Sequence, residues 1–88
     1  MNFGKAIKAL KKGKRVARKG WNGKNMWLIL QFGSRGAIPM RPGSAYAEAG
    51  LVEVKIQSHI DMMCADGTMQ PGWLASQADM LSDDWHVL

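Results

Sequence analysis

Phe3, Ala6, Ile7 and Leu10 stand at the i, i+3, i+4, i+7 spacing that sets apolar side chains on one stripe of a helix. Asn2 precedes the stripe as an N-cap and Gly13 follows it as a stop, so the pattern predicts a short N-terminal helix. Lys5, Lys8, Lys11 and Lys12 take the other face as solvated charges, the last two where the helix dipole favours cations. After Gly13 the period changes. Residues 14–19 read as a strand carrying Val16 and Ala17 among basic residues, and residues 26–32 as a buried strand of nearly continuous apolar character. Between them Gly20-Trp-Asn-Gly-Lys-Asn forms the turn of a hairpin, Asn22-Gly23 being a strong tight-turn dipeptide, which places Trp21 on a turn.

From residue 33 to 58 the pattern is broken by Gly33, Gly36, Pro39, Pro42, Gly43 and Gly50, with room for one helical turn at residues 44–48. A stretch this long in a small domain tends to be functional or partnered, and it is expected to be a specificity loop. Residues 59–65 and 68–70 flank Asp66-Gly67, a second hairpin signal of the type I′ class. Residues 73–81 return to helical spacing, with Leu74, Ala78 and Leu81 on one side, and residues 85–88 make a last strand that returns to the sheet. The predicted fold class is α+β. One domain over residues 1–88 carries a small antiparallel sheet, an N-terminal helix and a short C-terminal helix.

A chain of 88 residues buries only a little over ~60% of its unfolded surface, so its core is marginal. Cys64 is the only cysteine and forms no intrachain disulfide, and no Cys/His cluster offers a zinc site. Self-association is the support that remains, and with 47% apolar residues and seven methionines a homo-oligomer is expected. No apolar run approaches the ~20 residues of a membrane span. The start lacks the order of a signal peptide, and a reduced lone thiol fits the cytosol.

The net charge of +5 is unevenly spread. Eleven of the twelve Lys and Arg lie in residues 1–41, whereas all seven acids lie in residues 48–84. Such a basic excess concentrates phosphates locally, but the two halves are equally able to complement each other within or between protomers.

Groups for covalent chemistry are few. His59 and Asp61 lie two apart on one strand face, yet no serine or second histidine is placed to complete a triad. Asp83 and Asp84 diverge, and Cys64 reads as an inert core residue. The chain is therefore not expected to be an enzyme, and no metal or cofactor is expected.

Groups for binding a nucleotide-like anion are present. Trp21 and Trp73 offer stacking faces, with core or interface anchoring as the competing reading for each. Trp27 and Trp85 fall inside strands and read as structural. Asn22 and Asn25 match base edges, and Gly23 lets a phosphate approach backbone N–H groups. Ala75, Ser76 and Gln77 fall in the first turn of the final helix, where free N–H groups favour an anion. Asp79 suits ribose hydroxyls, and Arg18, Arg35 and Arg41 near turns suit phosphate.

Gly20-Trp-Asn-Gly-Lys-Asn-Met-Trp-Leu and Pro71-Gly-Trp-Leu-Ala-Ser-Gln-Ala-Asp-Met-Leu-Ser-Asp-Asp-Trp, with the opening Met-Asn-Phe-Gly-Lys-Ala-Ile-Lys-Ala-Leu-Lys-Lys-Gly-Lys, resemble the second Thoeris anti-defence family of phage proteins. The resemblance covers residues 1–32 and about 59–88 and leaves residues 33–58 unmatched. It implies a homotetramer in the cytoplasm of the infected bacterium that binds a cyclic ADP-ribose signal, glycocyclic ADP-ribose, without cleaving it. Some members also sequester cyclic dinucleotides at a separate site. At matching positions it implies Trp21, Asn22, Trp73, Ser76 and Gln77 as ligand residues. The implied partners are the cyclic nucleotide signal and further copies of the chain, with no membrane and no stable nucleic-acid partner. Two other readings stay open: a single-stranded nucleic-acid binder, and a structural oligomerisation module.

Overall fold

The computed structural model describes residues 1–21 and 25–88. Helix α1 (Phe3–Lys11) begins where the Asn2 side chain accepts from the Lys5 N–H at 2.9 Å, and the chain leaves it through Gly13 at φ +84°. The apolar stripe buries Ala6 and Leu10 together with Ala9.

Five antiparallel strands form the main sheet: β1 (Val16–Arg18), β2 (Trp27–Gln31), β5 (His59–Met63), β6 (Met69–Gln70) and β7 (Trp85–Val87), in the order β6-β5-β2-β1-β7. Val16 is registered with Leu28 and Val87, and Leu30 with Ile60. Since alternate residues share a face, Val16, Leu28, Leu30, Ile60, Met62 and Trp85 point together, and α1 packs on that side as the core. Arg15, Ala17, Trp27, Ile29, Asp61, Met63 and His86 fall on the opposite face by the same alternation.

Between β2 and β5 lie β3 (Ile38–Pro39), α2 (Ala45–Glu48) and β4 (Glu53–Val54), the two strands pairing Ile38 with Val54 in a separate ribbon. The helical turn expected at residues 44–48 is present, capped by Ser44. The two strands escape sequence reading because each is two residues long and one contains Pro39. The ribbon projects from the core. A radius of gyration of 15.3 Å, against about 12 Å for a compact chain of this length, and extents of 43 × 26 × 22 Å reflect it.

Gly33 is the joint of this projection. Its N–H donates to the Ser58 hydroxyl at 3.0 Å, and a Cβ there would collide with the Ile56 carbonyl oxygen and meet the Ser58 nitrogen at 2.8 Å. Both neighbours are backbone atoms of the 55–58 segment that joins β4 to β5, so they yield only by moving that segment. Gly33→Ala is expected to cost about 1–3 kcal/mol and to lower the melting temperature by more than about 5 °C; a thermal melt identical to that of the parent would show that the joint gives freely.

β1 and β2 pair as the expected hairpin, and of the two turns singled out in the sequence only the second differs from expectation. The β1–β2 connection is a 3₁₀ turn (Lys19–Trp21) followed by Asn25 at φ +57°, and the Asn22-Gly23 dipeptide lies outside the described residues. The Asp66-Gly67 hairpin is not type I′. Only Gly67 has positive φ, at +86°, and its N–H bonds to the Cys64 carbonyl at 3.0 Å while the Cys64 N–H reaches the Thr68 carbonyl at 2.8 Å. This is a three-residue loop with glycine in the left-handed place, because the Asp66 carboxylate bonds forward to the Thr68 N–H and hydroxyl and keeps its own φ negative.

The final helix is also shorter than expected. Helix α3 spans Gln77–Leu81, since the Ser76 hydroxyl accepts from the Asp79 N–H at 3.1 Å and the Asp79 carboxylate accepts from the Ser76 N–H at 3.2 Å, a reciprocal cap that starts the helix there. Trp73 precedes it in extended chain, its N–H donating to the Ile60 carbonyl. The expected apolar side faces solvent: Leu74 is 90% and Leu81 79% exposed. No helix among the described residues is long and apolar enough to cross a membrane.

Candidate functional site

Arg18 ends β1 and gathers two carboxylates from the far end of the chain. Its Nε donates to Asp84 Oδ1 at 2.9 Å and its Nη1 to Asp79 Oδ1 at 2.7 Å, while the Gly20 N–H donates to Asp84 Oδ2 at 2.8 Å. Burial alone pushes the Asp79 carboxyl up, but its bonds to Arg18 and Ser76 outweigh that and hold it below the usual carboxylate range. The Asp84 carboxyl is lowered chiefly by its bond from Arg18. This network ties α3 and the start of β7 to the 3₁₀ turn that carries Trp21.

Trp21 therefore has a fixed seat. Its ring stands edge-on to the buried Trp85, with centroids 5.3 Å apart, and to Trp73 at 6.4 Å; Trp73 stands edge-on to Trp85 at 6.1 Å. Trp21 and Trp73 are each half-buried against the core, so both serve as packing for Trp85. The uncovered part of Trp21 turns toward a pocket.

That pocket has a volume of about 690 Å³, inside the ~300–1,000 Å³ range of small-molecule sites. Ala17 forms its floor. It is registered with His86 on β7 and, one step along from the Val16–Leu28 pair, stands across from Trp27; a lone methyl between two large rings leaves the space open. Trp21 and Trp27 supply aromatic walls, Arg15, Arg18 and Lys19 supply positive charge, and among the described residues no side-chain carboxylate lines it. The Arg15 guanidinium lies over the Trp27 ring, 5.0 Å from its centroid. His86, also on the wall, has the one buried side-chain nitrogen among the described residues with no hydrogen-bond partner, its Nδ1.

Of the residues singled out in the sequence, Trp21, Asn25 and Arg18 meet at this pocket. Asn22 and Gly23 lie outside the described residues. Trp73 reaches the group only through its contact with Trp21. Ala75, Ser76 and Gln77 do not share a first helical turn: Gln77 opens α3, Ser76 caps it and Ala75 precedes both. Asp79 is 8% exposed with its carboxylate engaged by Arg18 and Ser76, which makes it part of the wall's support. Arg35 is exposed beside the ribbon, away from the pocket lining. Arg15, Lys19 and His86 are polar lining residues that sequence reading passed over, and Trp27, read there as structural, lines the pocket with them. Strand alternation held the signal for Trp27 and Arg15, but it becomes usable only with the β1–β2 register known.

His59 and Asp61 do pair, Nδ1 to Oδ1 at 2.6 Å, and Asp61 Oδ1 also accepts from the Gly72 N–H at 2.9 Å. The pair thus holds the segment leading into Trp73. Among the described residues no group of three or more His, Cys, Asp or Glu is placed to hold a metal ion.

Residues 1–88 match the family model of the Thoeris anti-defense 2-like domain. A protein of Bacillus phage SP01 named Thoeris anti-defense 2 is 38% identical over 88 residues, an alignment that spans 100% of this chain and 94% of the phage protein.

Proposed function

The chain belongs to the Thoeris anti-defense 2-like family, whose role is phage anti-defence, and from that premise we propose that it sequesters a cyclic ADP-ribose-type signal, glycocyclic ADP-ribose, in the cytoplasm of the infected bacterium without cleaving it. The observation that carries the reading is the pocket between β1, β7 and the 3₁₀ turn, where two indoles converge with Arg15, Arg18 and Lys19 and, among the described residues, no side-chain carboxylate is in the lining. Adenine stacked on an indole is worth about 1–3 kcal/mol. The pyrophosphate adds charge-assisted hydrogen bonds. Arg18 is held by Asp79 and Asp84, which leaves Arg15 and Lys19 as the lining cations without an ion-pair partner among the described residues. A sponge needs slow release above all. The solvent-facing Leu74 and Leu81 and the exposed apolar residues of the ribbon support self-association, which in this reading is a homotetramer.

Calorimetry with glycocyclic ADP-ribose is expected to give saturable, stoichiometric binding, and mass spectrometry after denaturing the complex is expected to return the ligand intact. Trp21→Ala should weaken binding by more than about tenfold, with Trp21→Phe, which keeps the contact to Trp85, much closer to the parent. A cleaved product, or no heat at all, overturns the reading.

One observation favours a nucleic-acid binder instead. Lys5, Lys8, Lys12 and Lys14 ring a second depression of about 220 Å³ beside α1. That reading demands affinity that grows with strand length and collapses with salt, so a gel shift with oligonucleotides of two lengths at two salt concentrations decides between them. Cyclic dinucleotides belong in the same titration panel.

A further inference from the structure

Trp27 and Arg15 are brought together by the sheet. Arg15 immediately precedes β1 and Trp27 opens the neighbouring β2, both on the face turned away from α1, and the exposed Arg15 guanidinium lies over the indole. We infer that Trp27 is the second stacking wall of the pocket, covered by Arg15 in the free protein, and that a nucleotide displaces this cover by putting its base on the indole while Arg15 turns to the phosphate. The inference rests on the pocket being a nucleotide site.

Two observations and one consequence of the exchange itself carry it. First, Arg15 is exposed and has no ion-pair partner among the described residues, so its contact with Trp27 is what holds it. A cation over an indole at an exposed site is held weakly, whereas a guanidinium on a phosphate makes forked, charge-assisted bonds, so exchange is favourable once a phosphate arrives. Second, the base takes the place that Arg15 leaves, and the indole is never bare to water. Third, Arg18 is unable to do the same. Its two carboxylate partners hold it, and leaving them would strand Asp79 in a site that is 8% exposed. One lining arginine is thus a fixed support and the other a movable ligand group.

The test is calorimetry with glycocyclic ADP-ribose at two salt concentrations on Trp27→Ala, Trp27→Phe, Arg15→Ala and Arg15→Lys, each with a thermal melt. Trp27→Ala is expected to weaken binding by at least about tenfold and Trp27→Phe by no more than about threefold. Arg15→Ala is expected to leave the melting temperature within about 2 °C, as an exposed position should, yet to weaken binding by about tenfold and flatten its salt dependence. Arg15→Lys should restore the salt dependence without the full affinity, because an ammonium lacks the fork. Parent protein that binds while Arg15→Ala keeps both its dissociation constant and its salt dependence overturns this inference and leaves the sequestration reading standing. The same holds if Trp27→Ala binds like the parent. Parent protein that binds nothing overturns both.

Discussion

Trp85→Ala is expected to cost about 3–5 kcal/mol, a large part of the roughly 4–13 kcal/mol available to a chain of 88 residues. Trp85 is the largest side chain fully inside the protein, at 1% exposure, in the centre of a ring of aromatic contacts to Phe3, Trp21 and Trp73. Its indole N–H donates to the Asp79 carbonyl at 2.9 Å. Truncation leaves a cavity where α1, the 3₁₀ turn and the 71–76 segment meet, and it strands that carbonyl as well. Urea unfolding followed by circular dichroism measures the loss. Trp85→Phe should recover part of the packing but not the hydrogen bond. A Trp85→Ala midpoint close to that of the parent would mean that the aromatic ring is not the core this fold depends on.

Arg18→Met is the second large effect, at about 3 kcal/mol, because removing one partner of a pair this enclosed leaves the other charge buried without compensation. The side chains of Arg18 and Asp79 are only 15% and 12% exposed, and Arg18 also bonds Asp84. The pH dependence separates this from a packing defect. Asp79 and Asp84 both titrate below the ordinary carboxylate range in the folded protein. Below about pH 4 the unfolded chain takes up protons that the folded chain still refuses, so the contribution present at neutral pH is lost as acidity increases through the lowered folded values. Melting temperatures of the parent should therefore fall steeply below about pH 4, and those of Arg18→Met should start lower and fall less. Parallel curves would show that the guanidinium does not set these carboxyls.

Much of the frame is legible in the sequence, for local reasons. The stripe from Phe3 to Leu10 and its Asn2 cap need only helical geometry, and strands β1, β2, β5 and β7 need only their apolar periods. Errors arise where a side chain several residues away chooses the backbone. Helical spacing over residues 73–81 is real, but the Ser76–Asp79 cap and the bond from Trp73 to Ile60 divide that stretch into an extended half and a helical half. The Asp66-Gly67 signal marks a turn correctly, whereas its class is decided by the Asp66 side chain bonding to Thr68. The ribbon over residues 38–54 is too short-stranded for any period to show.

The candidate site follows the same division. Trp21, Asn25 and Arg18 are recognisable as candidate site residues because indoles, amides and arginines near turns are few in so small a chain, and the flanking motifs carry the family with them. Arg15, Trp27 and His86 join them only through strand register.

By itself, then, the sequence determines the helix at the start, the strands of the main sheet, the uneven charge and the family. Tertiary structure alone decides which charges are free to act. Arg15 and Arg18 are near neighbours in the chain and identical in chemistry, but Arg18 meets carboxylates 61 and 66 positions away, whereas Arg15 meets an indole. Local propensity depends on residues a few positions apart, while charge pairing and pocket shape depend on distances that only the folded chain brings within reach.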